Sequence, residues 1–202
     1  MITGLLLLTN NGGLVHHVTN KEAASHNTNK QQQPLSKTYE ALIMGYHDKD
    51  SNVLKSIYTT GVDIGKKYGG LCEPAREFMI LDHPTSKTTL VSLTIKEGKN
   101  RQVRRMFHAL GSGVMKLKRA RIGNYLTLDC IEEPGQWRFL SKDEIRTCLN
   151  WDSSNDQFQQ NNMNTRHRRP RRRKRYVFSL MFVAFCNITI FLKSTHQTIK
   201  SP

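Results

Sequence analysis

The stretch from Glu97 to Leu110, E-G-K-N-R-Q-V-R-R-M-F-H-A-L, reads as a turn from a strand into an amphipathic helix. Val91 to Lys96 alternates as a strand does, Gly98 makes the turn tight, and Asn100 is a candidate helix cap. Val103, Met106, Phe107 and Leu110 follow at i, i+3, i+4 and i+7, which gathers them on one apolar face. Arg101, Arg104, Arg105 and His108 are left for the helix start and the other side. Guanidinium forks beside free N–H groups suit phosphate or carboxylate partners. The pattern alone equally fits a solvated basic face over a core stripe.

The chain has 202 residues and a net charge of +15. That length predicts one domain of about 150 residues plus extensions. Residues 1–150 carry 21 Lys and Arg against 14 Asp and Glu, and residues 151–202 carry 10 against 2. The first part is therefore basic in its own right, which points to a polyanion such as RNA. Cys72, Cys130, Cys148 and Cys186 form no C-x-x-C pair, and the histidines lack H-x-x-x-H spacing. Neither a metal site nor a disulfide framework is expected, and a reducing compartment follows, cytoplasm or organelle. A monomer is expected.

Outward from the central stretch, the remaining segments read as α+β. Gly4 to Leu8 is a buried strand running into an Asn-Gly-Gly turn rather than a signal peptide, because no basic segment precedes its four leucines. A short helix covers Leu14 to Val18, where His16 and His17 read as polar helix residues. Lys37 to Gly45 is a strand, Asp50 to Tyr58 a helix, and Gly61 to Leu71 is rich in turns. Strands follow at Phe78 to Leu81, Leu90 to Ile95, Val114 to Ile122 and Tyr125 to Asp129. Ser141 with Glu144 predicts a capping box on a last helix ending near Leu149.

Beyond residue 150 the composition changes. Residues 151–175 are polar and then basic, with seven arginines and a lysine between Arg166 and Arg175, and read as a disordered linker. Residues 176–192 are mostly apolar, at the short limit for a membrane span, with 193–202 as a tail. A tail anchor, translated non-coding sequence, and a buried strand or helix all remain open for this segment.

G-K-N-R-Q-V-R-R-M-F followed by A-L-G and L-K-R-A-R-I-G resembles the C-terminal half of the RNA pseudouridine synthases of the RsuA/RluB type. G-L-L-L-L-T-N-N-G from Gly4, K-T-Y at Lys37 to Tyr39 and P-G-Q-W-R-F-L from Pro134 agree in the family's order. The resemblance runs from about Gly4 to Leu149 and has no counterpart for residues 151–202. It implies the pseudouridine synthase fold, a mixed and largely antiparallel sheet with flanking helices. It implies an enzyme that isomerises uridine in RNA, ribosomal RNA above all, without cofactor or metal. Such chemistry requires the target base to leave its stack for a pocket.

By the same resemblance, Tyr39 packs on the base and accepts a proton, Arg104 pairs with a nucleophilic aspartate, and Val103 lines the pocket. Without it, Tyr39 would read as a half-buried strand residue and Val103 as plain core. Lys99, Asn100, Arg101 and Gln102, together with Lys37, Lys116, Lys118, Arg119 and Arg121, are candidates for RNA contact. The last four alternate imperfectly along their strand, so some must face solvent. The family's aspartate lies in G-R-L-D about five positions before Gly4, which falls upstream of Met1. Asp48, Asp50, Asp63, Asp82, Asp129 and Asp143 do not match that motif. The chain as written is therefore expected to be inactive, and a basic, uncompensated Arg104 is expected in its pocket. A non-catalytic RNA-binding protein and a membrane-tethered interaction protein are the alternatives.

Overall fold

In a computed structural model, the residues described are 3–19, 35–48, 51–131, 133–151 and, for the backbone alone, 188–193. The strands are β1 (Thr3–Thr9), β2 (Lys37–Met44), β3 (Glu77–Thr85), β4 (Thr88–Ile95), β5 (Val114–Ile122), β6 (Leu126–Thr127), β7 (Trp137–Phe139) and β8 (Ile188–Lys193). The helices are α1 (Gly12–Thr19), α2 (Asn52–Tyr58), α3 (Gln102–Ala109) and α4 (Lys142–Leu149). The strands join one sheet in the order β3-β4-β2-β5-β1-β8-β7, with β6 attached to β5. Among the described residues β1 and β5 are the parallel pair, and the other pairs are antiparallel. The architecture is the expected α+β sheet with flanking helices.

Alternation along β2 decides which face is covered. Lys37, Tyr39, Ala41 and Ile43 are buried, and the residues between them are partly open. Tyr39, Ala41 and Ile43 join Val91, Leu93, Ile95 and Leu117 in a core closed by Leu54 and Ile57 of α2 and by Val103, Met106 and Phe107 of α3. A second core gathers Leu5, Leu14, Ile122, Leu126, Ile145 and Leu149 beneath α1 and α4. Full burial of side chains of this size stabilises by about 1.5–3 kcal/mol each. β3 lies at the edge of the sheet, where its Pro84 removes no needed ladder bond.

The imperfect alternation of β5 has a structural cause. Tyr39 is paired with Arg119, but Thr38 is paired with Arg121, so Ala120 is an extra residue in β5. A bulge of this kind reverses the faces beyond it. Arg119 and Ile122 thereby share the helix-covered face with Tyr39. Lys118 and Arg121 fall on the opposite face, where they pair with Glu40 and Glu77.

β1 is fixed to β5 by a close approach at Gly4, which has φ of 85°. A Cβ there would stand 2.3 Å from the Arg119 carbonyl oxygen, so no other residue fits without movement. Ser141 caps α4 in the predicted box: its hydroxyl accepts from the Glu144 N–H, and the Glu144 carboxylate accepts from the Ser141 N–H. Arg138 binds the same carboxylate through both terminal nitrogens, and these donors hold the Glu144 carboxyl down to about 2.

His17 is not simply a polar residue on a helix surface. It is buried, its Nε2 lies 2.8 Å from the Leu149 carbonyl oxygen, and its ring sits 5.2 Å from that of Trp151. Burial lowers its pKa, with Lys37 and His16 adding to the effect and the Leu149 carbonyl opposing it. The tip of α1 and the end of α4 are joined through this ring.

The linker expected at 151–175 lies outside the described residues apart from Trp151. Of the 176–192 segment, residues 176–187 lie outside the described residues, and Ile188–Lys193 is a strand that pairs antiparallel with both β1 and β7. No helix among the described residues is long and apolar enough to cross a membrane. I-T-I-F-L-K has the β-branched and aromatic composition of a strand.

Two outcomes follow. Removing residues 152–202 opens the inner edges of β1 and β7, so the shortened protein should melt at lower temperature and self-associate more in sedimentation. An unchanged melting temperature would show that β8 adds nothing to stability. For His17, the unfolded state binds more protons than the folded one as pH falls below about 6.5, so stability falls with it. The melting temperature should drop by a few degrees between pH 7.5 and 5.5, and His17→Gln should flatten that part of the profile.

Candidate functional site

A cavity of about 580 Å³ opens between α1 and α3 above β2 and β5. Its walls come from four places in the chain. β2 contributes Lys37 and Tyr39, β5 contributes Leu117 and Arg119, and α1 ends on it with Val18 and Thr19. Ile95 at the end of β4 and the segment from Glu97 to Arg104 just after it supply the rest. Tyr39, Val103 and Arg104 thus face one space, although the sequence separates the first widely from the other two.

The turn before α3 is held by a buried carboxylate. Glu97 accepts from the Glu73 N–H at 2.8 Å and from Gln102 Nε2 at 3.1 Å, and it pairs with Lys99 Nζ at 3.2 Å. Gln102 Oε1 in turn accepts from the Lys99 N–H at 3.1 Å. These bonds replace the expected Asn100 cap: Arg101 occupies the cap position in the left-handed region at φ 53°, and no side chain caps the helix. Gly98 is required on other grounds, because a Cβ on it would lie 2.7 Å from the Thr19 carbonyl oxygen at the tip of α1.

Arg104 is held by the backbone of β5. Its Nη1 donates to the Val114 carbonyl at 2.6 Å, which fixes the guanidinium in the cavity wall. Lys37, a candidate for RNA contact, is buried in β2. It is 6% exposed and lines the cavity. Burial, with the Arg119 charge beside it, brings its pKa down to about 8. Arg119 is anchored through Nε to the Leu5 carbonyl at 2.7 Å. Lys37, Arg104 and Arg119 therefore place three basic groups around Tyr39, which is itself 9% exposed and packed into the core.

The remaining candidates divide. Lys99, Asn100 and Arg101 line the mouth of the cavity, with Asn100 and Arg101 exposed. Gln102 also lines it but is only 4% exposed, and its amide is used within the turn; it shapes the site and is not available to reach out of it. Lys116, Lys118 and Arg121 do not line the cavity, a consequence of the bulge for Arg121 and of alternation for the two lysines. Glu97 was missed in the sequence. Its signal, a carboxylate five residues before a glutamine across a glycine turn, has many other meanings.

The cavity can accept a flat ring against Tyr39 and a negative charge beside Lys37, Arg104 and Arg119. Comparison with known proteins gives this geometry a family. Residues 2–109 match the family model described as RNA pseudouridylate synthase. The ribosomal small subunit pseudouridine synthase A of Vibrio cholerae is 35% identical over 146 residues, covering 71% of this chain and 53% of its own length. The ribosomal large subunit pseudouridine synthase B of Bacillus subtilis is 36% identical over 120 residues, covering 58% and 41%. The crystal structure of a pseudouridylate synthase superposes with a TM-score of 0.50 at 29% identity, covering 67% of this chain and 50% of that one. The chain spans about half the length of these relatives. On the sequence likeness and the fold, the chain belongs to the RNA pseudouridylate synthase family and resembles its RsuA/RluB branch.

Proposed function

We propose that the complete protein isomerises uridine to pseudouridine in structured RNA, and that residues 1–150 form most of its catalytic unit. Ribosomal RNA is the substrate by analogy with the names of the relatives. The observation that carries this reading is the meeting of Tyr39, Val103 and Arg104 on one cavity ringed by basic groups. Uridine and pseudouridine contain the same atoms. The bond from N1 to the ribose C1′ breaks, a bond from C5 to C1′ forms, C5 gives up a proton and N1 gains one.

In this reading the extruded base lies against the Tyr39 ring, with the Val103 side chain closing the pocket. The Tyr39 hydroxyl takes the C5 proton, helped by the surrounding cations. Arg104, held by the Val114 carbonyl, presents its other donors to the nucleophilic aspartate and keeps that carboxylate ionised. The aspartate comes from a G-R-L-D segment before Gly4. Lys37, Lys99, Asn100 and Arg101 take the RNA backbone around the base.

A second reading has its own support. Among the described residues that line the cavity, Glu97 is the acidic one, and the turn occupies its carboxylate. The 202-residue chain by itself should then bind RNA and leave uridine unchanged. Pseudouridine mapping on a ribosomal RNA transcript separates the two. The chain joined in frame to an upstream G-R-L-D segment should form pseudouridine, and the chain alone should not. Absence of pseudouridine from both would leave the RNA-binding reading.

Two substitutions extend the test. In the extended chain, Arg104→Ala should lower isomerisation by a factor of about 10³ or more, on the scale of losing a partner of a buried charge. RNA affinity should stay within a few fold; equal loss of both would assign Arg104 to phosphate contact. Lys37 is protonated below about 8 and loses its charge as pH rises through that value, whereas ordinary lysines stay charged to above 10. RNA affinity should therefore fall between pH 7 and 9 in the wild type, and Lys37→Met should bind more weakly at pH 7 with a flatter profile.

A further inference from the structure

Beside the mouth of the cavity stands a second feature that the reading above does not use. Residues 65–71, G-K-K-Y-G-G-L, form a closed turn in which Gly65, Gly69 and Gly70 all have positive φ, at 88°, 106° and 65°. The Gly65 N–H donates to the Asp63 carboxylate, and the Tyr68 and Gly70 N–H groups both donate to the Gly65 carbonyl. The turn is tied to the cavity mouth: Lys99 Nζ donates to the Leu71 carbonyl at 2.6 Å, and the Lys99 stem lies against Gly69.

This turn holds Tyr68 over α3. The Arg105 guanidinium carbon lies 3.5 Å from the centre of the Tyr68 ring, and Arg105 Nη1 is itself fixed to the Asn100 carbonyl at 2.7 Å. Lys67 Nζ is 5.7 Å from the same ring centre. Tyr68 is nevertheless 41% exposed, and Lys66 and Lys67, just before it in the turn, are exposed as well. A tyrosine with a guanidinium fixed against its ring and a lysine close by offers an aromatic surface beside positive charge. It suits a flat aromatic partner that carries negative charge close by.

We infer that Tyr68, backed by Arg105, is a stacking platform for an unpaired RNA base next to the nucleotide in the cavity, with Lys66 and Lys67 on the adjoining phosphates. This rests on the proposed RNA substrate and adds to it a second point of contact, outside the cavity. RNA sequence recognition commonly uses unstacked bases on aromatic rings and arginine planes, because every base has a face to offer. A protein partner with acidic side chains would use the lysines and leave the ring idle.

The test uses the full chain and an RNA hairpin whose loop holds uridine flanked by unpaired nucleotides, with a second hairpin carrying abasic sites at those flanks. Tyr68→Ala should weaken binding to the first hairpin by about tenfold, within the range of one base stack. Tyr68→Phe should stay within about twofold. The loss should be independent of salt and vanish on the abasic hairpin. Lys66→Ala with Lys67→Ala should instead make the dependence of log K on log salt shallower by one to two units. If Tyr68→Ala binds as the wild type does, or loses equally on both hairpins, the platform is wrong and the RNA reading stands. If the wild-type chain binds neither hairpin, both fall.

Discussion

A buried carboxylate governs the site. Glu97 lies two residues past the end of β4, in the turn that launches α3, and it is held by a backbone N–H, an amide and an ammonium group. Three donors compensate the cost of removing the charge from water. In return they fix where α3 starts, and so the direction in which Val103 and Arg104 point. The left-handed backbone at Arg101 is the local cost of that geometry, and it is tolerated because the turn on both sides of it is over-determined.

The cavity is built where two cores meet. One core belongs to α2 and α3, the other to α1 and α4, and β5 serves both, with Leu117 in the first and Ile122 in the second. Lys37, Tyr39 and Arg119 line the cavity on this face of the sheet. Basic groups in such a cavity stand in a medium less polar than water, where each interacts more strongly with an anion. Lys37 shows the cost of the arrangement in its lowered pKa, and Arg104 and Arg119 reduce theirs by donating to backbone carbonyls.

β8 changes the view of the C-terminal region. Read as a run of apolar residues, it invited comparison with a membrane span. Paired on both sides by β1 and β7, it occupies an interior position in the sheet. An apolar strand with neighbours on both edges has the same composition as a short span, and pairing is what separates them.

The sequence by itself determined a good deal. Periodicity of 2 in Lys37 to Met44 and of 3.6 from Val103 to Leu110 is imposed by backbone geometry, so the strand, the helix and their buried faces were legible. So were the Ser141 capping box and the family, whose motifs lie in continuous stretches. Only the tertiary structure decided the rest, because it depends on residues distant in the chain. The Ala120 bulge, which sends Arg119 into the cavity and Arg121 out of it, exists only in the pairing of β5 with β2. Glu97 is held by the Glu73 N–H from another part of the chain, and His17 is buried where Leu149 and Trp151 arrive from the far end of the domain. Burial, charge pairing and strand partnership are properties of what surrounds a residue, and local sequence does not encode those surroundings.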